Sequence, residues 1–350
     1  MDVNHFEALR KHLSQHIIGQ HHLINSMLIC LLSDGHMLVE GMPGLAKTTA
    51  IKSLAGAIEG EFHRIQFTPD LLPADLIGTD IYQHESGEFV FRQGPLFHNV
   101  LLADEINRAP PKVQSALLEA MGERQITVGQ HSYQLPHLFL VLATQNPVEH
   151  EGTYTLPEAQ LDRFLLYVRV DYPSREEELA ILNLIEAQQQ FESRQATLEG
   201  VFPVPQMEKL ATVDWTETGT NASTEQKSFH ILTQSDVLAA REAVMQVYLD
   251  PKLKEYIVDI VQASRTPAIF DKDLQRWQRF GASPRASIAM SRCARALAWL
   301  QGEKYVSPEQ IQTVAPDILR HRLLLSFEAE AEGITVDIFI QRLLQVVAVP

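Results

Sequence analysis

Eight residues constrain this chain more than any others: Gly41-Met42-Pro43-Gly44-Leu45-Ala46-Lys47-Thr48. They follow a short apolar strand, His36-Met37-Leu38-Val39-Glu40, and lead into the helix-forming run Lys47-Thr48-Thr49-Ala50-Ile51-Lys52-Ser53-Leu54. A glycine loop between a strand and a helix N-terminus curls its backbone N–H groups around phosphate oxygens, and the helix dipole favours the same negative charge. In that setting Lys47 neutralises β- and γ-phosphates and the Thr48 hydroxyl ligates Mg²⁺. The stretch Gly41 to Thr49 is therefore the expected cradle for ATP, with Ala46 standing where the general pattern has glycine.

A second segment supplies the acid. Val100-Leu101-Leu102-Ala103-Asp104-Glu105 is an apolar strand ending in two carboxylates. An acid at the C-terminal end of a strand can hold the Mg²⁺ that bridges the phosphates, here Asp104. The next carboxylate, Glu105, can polarise the attacking water. Asn146 ends another apolar run, Leu138-Phe139-Leu140-Val141-Leu142-Ala143-Thr144, and in a parallel sheet it faces the same crevice, where its amide would orient that water; Asn-Pro is also a turn opener. Arg163 closes a short helical stretch, where it either complements the helix dipole or reaches a neighbouring subunit's γ-phosphate as an arginine finger. Arg285 follows an N-cap serine and a first-turn proline, Ser283-Pro284, where a cation opposes the dipole by roughly 0.3–1 kcal/mol. An anion is the expected partner, and bound phosphate is available.

The 350 residues allow about two domains. Apolar content of 45% and charged content of 21% are those of a soluble globular chain. A net charge of −15 argues against a non-specific nucleic-acid binder, which needs a basic face to displace counterions. Cys30 and Cys293 are the only cysteines, so no disulfide framework or cysteine-based metal site is expected. The N-terminus has no signal pattern and no apolar run long enough for a bilayer, so a reducing cytoplasm is expected. The N-terminal histidines lack companion ligands at metal-site spacing.

Residues 1–172 alternate strand and helix, with strands expected at 36–40, 62–67, 99–105, 138–144 and 165–171. Such near-continuous apolar runs suit a parallel sheet covered on both faces. Two hairpins are expected at 79–92 and 125–135. From 173 to 350 the pattern is helical only, at 234–249, 252–264, 284–301, 308–324 and 335–347, with an irregular polar loop at 196–230.

Taken in order, these segments resemble the MoxR branch of the AAA+ ATPases, in the magnesium-chelatase-like clade with an insert in helix 2. The matching residues are Gly41-x-Pro43-Gly44-x-Ala46-Lys47-Thr48, Gly94-Pro95-Leu96-Phe97 through Asp104-Glu105-Ile106-Asn107-Arg108-Ala109, and Gln114-Ser115-Ala116-Leu117-Leu118-Glu119-Ala120-Met121. Ala143-Thr144-Gln145-Asn146-Pro147, Pro157 through Phe164, and Gly281-Ala282-Ser283-Pro284-Arg285-Ala286 continue the match. Ala46 is the usual residue of that branch. The resemblance implies a five-stranded parallel α/β sheet of order 5-1-4-3-2 with helices on both faces, an all-α lid, and assembly into a ring, commonly a hexamer. It makes Lys47, Thr48, Asp104 and Glu105 the two Walker motifs, Asn146 sensor 1, Arg163 the finger and Arg285 sensor 2. Ile17 and Ile18, beside Gly19-Gln20, become the apolar contacts to adenine. Members are regarded as ATP-hydrolysing, chaperone-like remodelers of protein partners, often ones with a von Willebrand factor A domain and sometimes with metal insertion. The competing expectation is a nucleic-acid-linked AAA+ motor or loader, supported chiefly by Arg276, Arg279, Arg292 and Arg295.

Overall fold

Five of the apolar runs become the five parallel strands of one sheet. The computed structural model describes residues 3–42, 44–45, 47–85, 87–129, 131–147, 153–198 and 231–350. In chain order the strands of the N-terminal half are β1 (Met37–Gly41), β2 (Phe62–Gln66), β3 (Gly78–Gln83), β4 (Glu88–Gln93), β5 (Val100–Asp104), β6 (Gln125–Val128), β7 (His131–Gln134), β8 (Leu140–Gln145) and β9 (Leu166–Val170). The sheet runs β2-β5-β8-β1-β9, with every neighbouring pair parallel. Counting only its own members, this is the expected order 5-1-4-3-2 viewed from the other edge.

The reason lies in burial. β5 is buried at every position and β8 at all but its last, so neither face of either strand meets water. Helix Pro111–Glu123 presents Val113, Leu117, Ala120 and Met121 at helical spacing to a cluster holding Leu101, Phe139, Val141 and Phe164. Each such side chain contributes about 1.5–3 kcal/mol when fully buried. Parallel pairing then puts all five C-terminal strand ends on one edge and all five N-terminal ends on the other, about 16 Å away for five residues at ~3.3 Å each.

Both expected hairpins form, β3 with β4 and β6 with β7, each antiparallel. Phe91 of the first stacks on Tyr133 of the second, with ring centroids 4.4 Å apart.

Beyond residue 230 the helices are Gln234–Met245, Pro251–Arg265, Lys272–Trp277, Pro284–Leu300, Pro308–Leu319, Phe327–Ala331 and Val336–Val346. Thr233, Asp250, Asp271, Ser283, Ser326 and Thr335 cap six of them through their side chains, and proline opens three. One correction to an all-helical lid follows: β10 (Gln278–Phe280) pairs antiparallel with β11 (Leu324–Leu325). Neither segment is long enough to carry an alternating pattern, so only the pairing reveals them. The described residues of 1–172 and of 231–350 form one compact unit, while helix Arg175–Leu198 belongs to a second. That helix includes residues 196–198, which were expected to be loop; the rest of the expected 196–230 loop lies outside the described residues. No described helix is long and apolar enough to cross a membrane.

Buried Arg322 joins the helical part of the larger unit to the sheet. It donates to the carbonyls of Phe164 and Leu165, just before β9, and to Asp162. Phe6 meets Trp299 edge-on at 5.2 Å.

Candidate functional site

The glycine loop leaves the C-terminal end of β1. Gly44 has φ +85°, in the left-handed region where a side chain is strained. A Cβ on Gly41 would meet the Val170 carbonyl oxygen at 2.9 Å, so β9 can approach only a glycine. Leu45 is buried and anchors the loop, whereas Thr49 is exposed. Half-buried Lys47 donates to the carbonyl oxygens of Gly41 and Gln145, so its ammonium is held between the ends of β1 and β8. Burial pushes its pKa down, against the pull of Asp104, Glu105 and Glu40. Pro43 and Ala46, expected to belong to the cradle, lie outside the described residues. Of the two expected adenine contacts, Ile17 is buried and Ile18 is half-buried. The adjoining Gln20 amide bonds the Asp171 carbonyl at 3.4 Å, which sets this segment beside the end of β9.

At the end of β5, buried Asp104 is held from several sides. Its Oδ1 accepts the Thr144 hydroxyl at 2.6 Å. Its Oδ2 accepts Arg64 Nε at 3.1 Å and Nη2 at 2.7 Å, and the Thr48 hydroxyl at 3.5 Å. Thr48 and Asp104 thus direct hard oxygen donors at one point. That suits Mg²⁺, which takes one or two protein ligands and the rest from phosphate and water. Glu105 is a non-glycine residue in the left-handed region, φ 57° and ψ 50°. Thr144 Oγ1 accepts its N–H at 3.0 Å, and its carboxylate accepts Gln66 Nε2 at 2.8 Å and Arg108 Nη1 at 3.0 Å. Buried Asn146 follows β8 directly, and its carbonyl accepts from the Asn107 amide at 3.5 Å. Lys47, Thr48, Asp104, Glu105 and Asn146 therefore share the C-terminal edge of the sheet.

The two arginines go elsewhere. Half-buried Arg163 follows helix Glu158–Leu161 and donates to the Leu118 carbonyl at 2.8 Å, lying directly over Gly122. Arg285 is exposed and reaches Asp162 Oδ2 at 3.4 Å. That carboxylate also accepts the Ser283 hydroxyl at 2.9 Å and Arg322 Nε at 2.7 Å. Arg163 and Arg285 line one cavity of about 400 Å³ together with Asp34, Gly35 and His36, which precede β1, and Leu165, which precedes β9. This is the N-terminal edge of the sheet. The sequence-derived set is thus split into two groups at opposite strand ends.

Several participants escaped the sequence reading. Arg64 and Gln66 reach Asp104 and Glu105 from β2, whose register sets Gln66 beside Asp104. Their spacing of two along a strand puts them on one face, which was the available signal. Thr144 links the Asp104 carboxylate to the Glu105 backbone N–H, and Asp162 gathers Arg285, Arg322 and Ser283. Among the other lid arginines, Arg276 is paired with Glu328 and Glu332, and Arg279 lies over the rings of Phe280 and Phe327.

Comparison with known proteins agrees with this layout. Residues 36–166 match the model of the ATPase family associated with various cellular activities, and residues 275–343 match an AAA lid domain. The chain is 45% identical over 335 residues to chaperone MoxR1 of Mycobacterium tuberculosis, covering 95% of this chain and 79% of that protein. It is 32% identical over 324 residues to protein MoxR of Paracoccus denitrificans, covering 89% and 86% respectively. A crystal structure from Cytophaga hutchinsonii, described as that of a candidate ATPase, superposes with a TM-score of 0.82 at 40% identity, over 99% of this chain and 96% of that one.

Proposed function

The chain belongs to the MoxR family of chaperone-like AAA+ ATPases, and from that premise we propose that it hydrolyses ATP in a ring, commonly a hexamer, to remodel or mature a protein partner. The observation that carries the catalytic part is the convergence of Lys47, Thr48, Asp104, Glu105 and Asn146 on one sheet edge. Lys47 leaves its backbone carbonyls to neutralise the β- and γ-phosphates, while Gly41, Gly44 and Leu45 shape the cradle and Ile18 borders the base. Thr48 and Asp104 would hold Mg²⁺, which supplies charge neutralisation across the phosphates. Glu105 accepts a proton from the attacking water and Asn146 orients that water, giving ADP and phosphate.

Arg163 and Arg285 stand about one strand length from this edge, too far to reach a nucleotide bound by their own chain. Their separation favours a site shared between copies, in which both arginines serve the nucleotide of the neighbour. The partner we propose is a protein with a von Willebrand factor A domain, whose maturation includes metal-cofactor insertion in some cases; the resemblance to the MoxR branch supports this assignment.

The test has two arms. Lys47→Ala is expected to abolish ATP binding, and Glu105→Gln to bind without turnover. Arg163→Ala is expected to bind ATP normally, turn over ~10³-fold or more slowly, and regain turnover when mixed with Lys47→Ala subunits that lend an intact finger. Full hydrolysis by Glu105→Gln, or no rescue on mixing, would sink the respective assignments. In the second arm Glu105→Gln is purified from its host with ATP and Mg²⁺. Retention of a von Willebrand-type protein with ATP and its loss with ADP is expected; recovery of nucleic acid instead would favour a motor.

A further inference from the structure

The cavity at the N-terminal edge is lined by five arginines, Arg124, Arg163, Arg285, Arg292 and Arg322, against two carboxylates, Asp34 and Asp162. In a chain of net charge −15 this is a concentrated patch of the opposite sign. The carboxylates are already committed. Asp34 accepts from Arg124 at 2.6 Å and from Arg241 at 2.5 Å. Asp162 compensates the buried Arg322 at 2.7 Å, leaving Arg285 with a longer contact of 3.4 Å. Arg163 donates to the Leu118 carbonyl, and Arg292 has no hydrogen bond or ion pair among the described residues.

Arg285 and Arg292 are seven residues apart on helix Pro284–Leu300. Seven steps of about 100° return to nearly the same face, roughly 10 Å further along the axis. Ile288 and Ala289, between them, line the same cavity, so this face of the helix is the cavity wall. Arg163 and Arg292, with no carboxylate partner among the described residues, and Arg285, which shares Asp162 with Arg322, thus converge on one concavity, and their planar donor forks match phosphate oxygens.

We infer that Arg292 is a third guanidinium, alongside Arg163 and Arg285, that binds the phosphates of ATP held by an adjacent copy of this chain. The inference rests on the shared-site reading proposed above. Arg292 acts two helical turns from Arg285, so it grips the phosphate chain at a second point and fixes the approach of the lid helix.

The experiment compares Arg292→Ala, Arg292→Lys and Arg163→Ala at concentrations where the wild type is assembled. For Arg292→Ala the expected result is unchanged assembly by light scattering, affinity for a fluorescent ATP analogue lowered about tenfold in the assembled state only, and turnover lowered about tenfold or more. Arg292→Lys recovers part of both, since it keeps the charge without the fork. Mixing Arg292→Ala with Lys47→Ala restores turnover, because the Lys47→Ala subunits lend an intact Arg292. Wild-type affinity and turnover in Arg292→Ala, with Arg163→Ala impaired and rescued on mixing, overturns the role of Arg292 and leaves the shared site standing. Failure of Arg163→Ala to lose turnover, or to be rescued, overturns the shared site itself. Loss of assembly in Arg292→Ala that excess ATP analogue does not repair means that the pocket holds a neighbour's carboxylate, which also overturns the inference.

Discussion

Gly122→Ala is the sharpest test of where Arg163 must sit. Gly122 lies inside helix Pro111–Glu123 with an ordinary negative φ, so alanine fits the backbone and gains up to ~1 kcal/mol of helix propensity. A Cβ there would overlap Nη1 of Arg163 and stand 3.3 Å from its Cζ. Carbon pairs settle at about 3.5–4.0 Å, so the guanidinium must withdraw by roughly 1 Å or more at its tip. Arg163 is the far end of a flexible side chain, and it moves rather than the helix. Withdrawal stretches its 2.8 Å bond to the Leu118 carbonyl. A half-exposed charge-assisted bond of this kind contributes about 1 kcal/mol net, close to the helix gain, so Tm should stay within about 3 °C of wild type. Catalysis is less tolerant, since a misplacement of about 1 Å can cost ~10²-fold. The expected outcome is therefore ATP affinity as in wild type, phosphate release lowered ~10²-fold, and recovery on mixing with Lys47→Ala. The double variant Gly122→Ala/Arg163→Ala should be no slower than Arg163→Ala alone, because both changes remove one function. Wild-type phosphate release from a folded Gly122→Ala protein would refute the reasoning: Arg163 would then not act from this seat.

Two further outcomes follow from the same geometry. Arg64 occupies the Asp104 oxygen that Thr48 also faces, so Arg64→Gln should lower the Mg²⁺ concentration needed for half-maximal binding of an ATP analogue by up to about fivefold, the equivalent of a partly exposed ion pair; a raised or unchanged midpoint in a Mg²⁺ titration would count against competition at that oxygen. His36 is buried, accepts the Val141 N–H at 3.0 Å and has its pKa pushed down by burial to about 4. Its folded pKa lies below the ordinary value of 6.5, so between those limits the unfolded chain binds the extra proton. Its contribution is present above pH 6.5 and is lost as pH falls toward 4, by as much as ~3 kcal/mol. Urea melts at pH 7, 5.5 and 4 should show a shallower acid loss in His36→Gln than in wild type; parallel losses would refute this role for His36.

What could be read from the sequence was what is local. The apolar runs of β5 and β8, the cap at Ser283, and the loop from Gly41 to Thr48 each carry their chemistry on neighbouring residues. Asp104 and Asn146 were legible because a parallel sheet must bring its C-terminal strand ends to one edge. Arg64 and Gln66 were not, since their contacts depend on the pairing of β2 with β5, a long-range fact. Gly122 was invisible for a different reason: its role is a missing Cβ opposite a side chain far along the chain. The position of Arg285 is set by how the lid docks, through contacts such as Arg322 with Phe164 and Asp162, and no periodicity encodes that docking.

Glu105 joins these two kinds of information. Its place after an apolar strand marks it in the sequence, but its left-handed backbone does not. Such a conformation costs a residue of this type about 1–2 kcal/mol and persists only where the surroundings over-determine it. Here they do so from three elements. Thr144 of β8 accepts the Glu105 N–H while donating to Asp104, Gln66 of β2 holds the carboxylate, and Arg108 holds it from the following turn. The strained turn lets consecutive carboxylates take different roles: Asp104 is locked against Thr144, Arg64 and Thr48, while Glu105 is turned to other donors. A relaxed, extended Glu105 would instead continue the alternation of β5 and point its side chain to the opposite face of the sheet from Asp104. The strain thus turns two consecutive carboxylates of one strand end to different donors, which is what the metal-facing and water-facing roles proposed for Asp104 and Glu105 require.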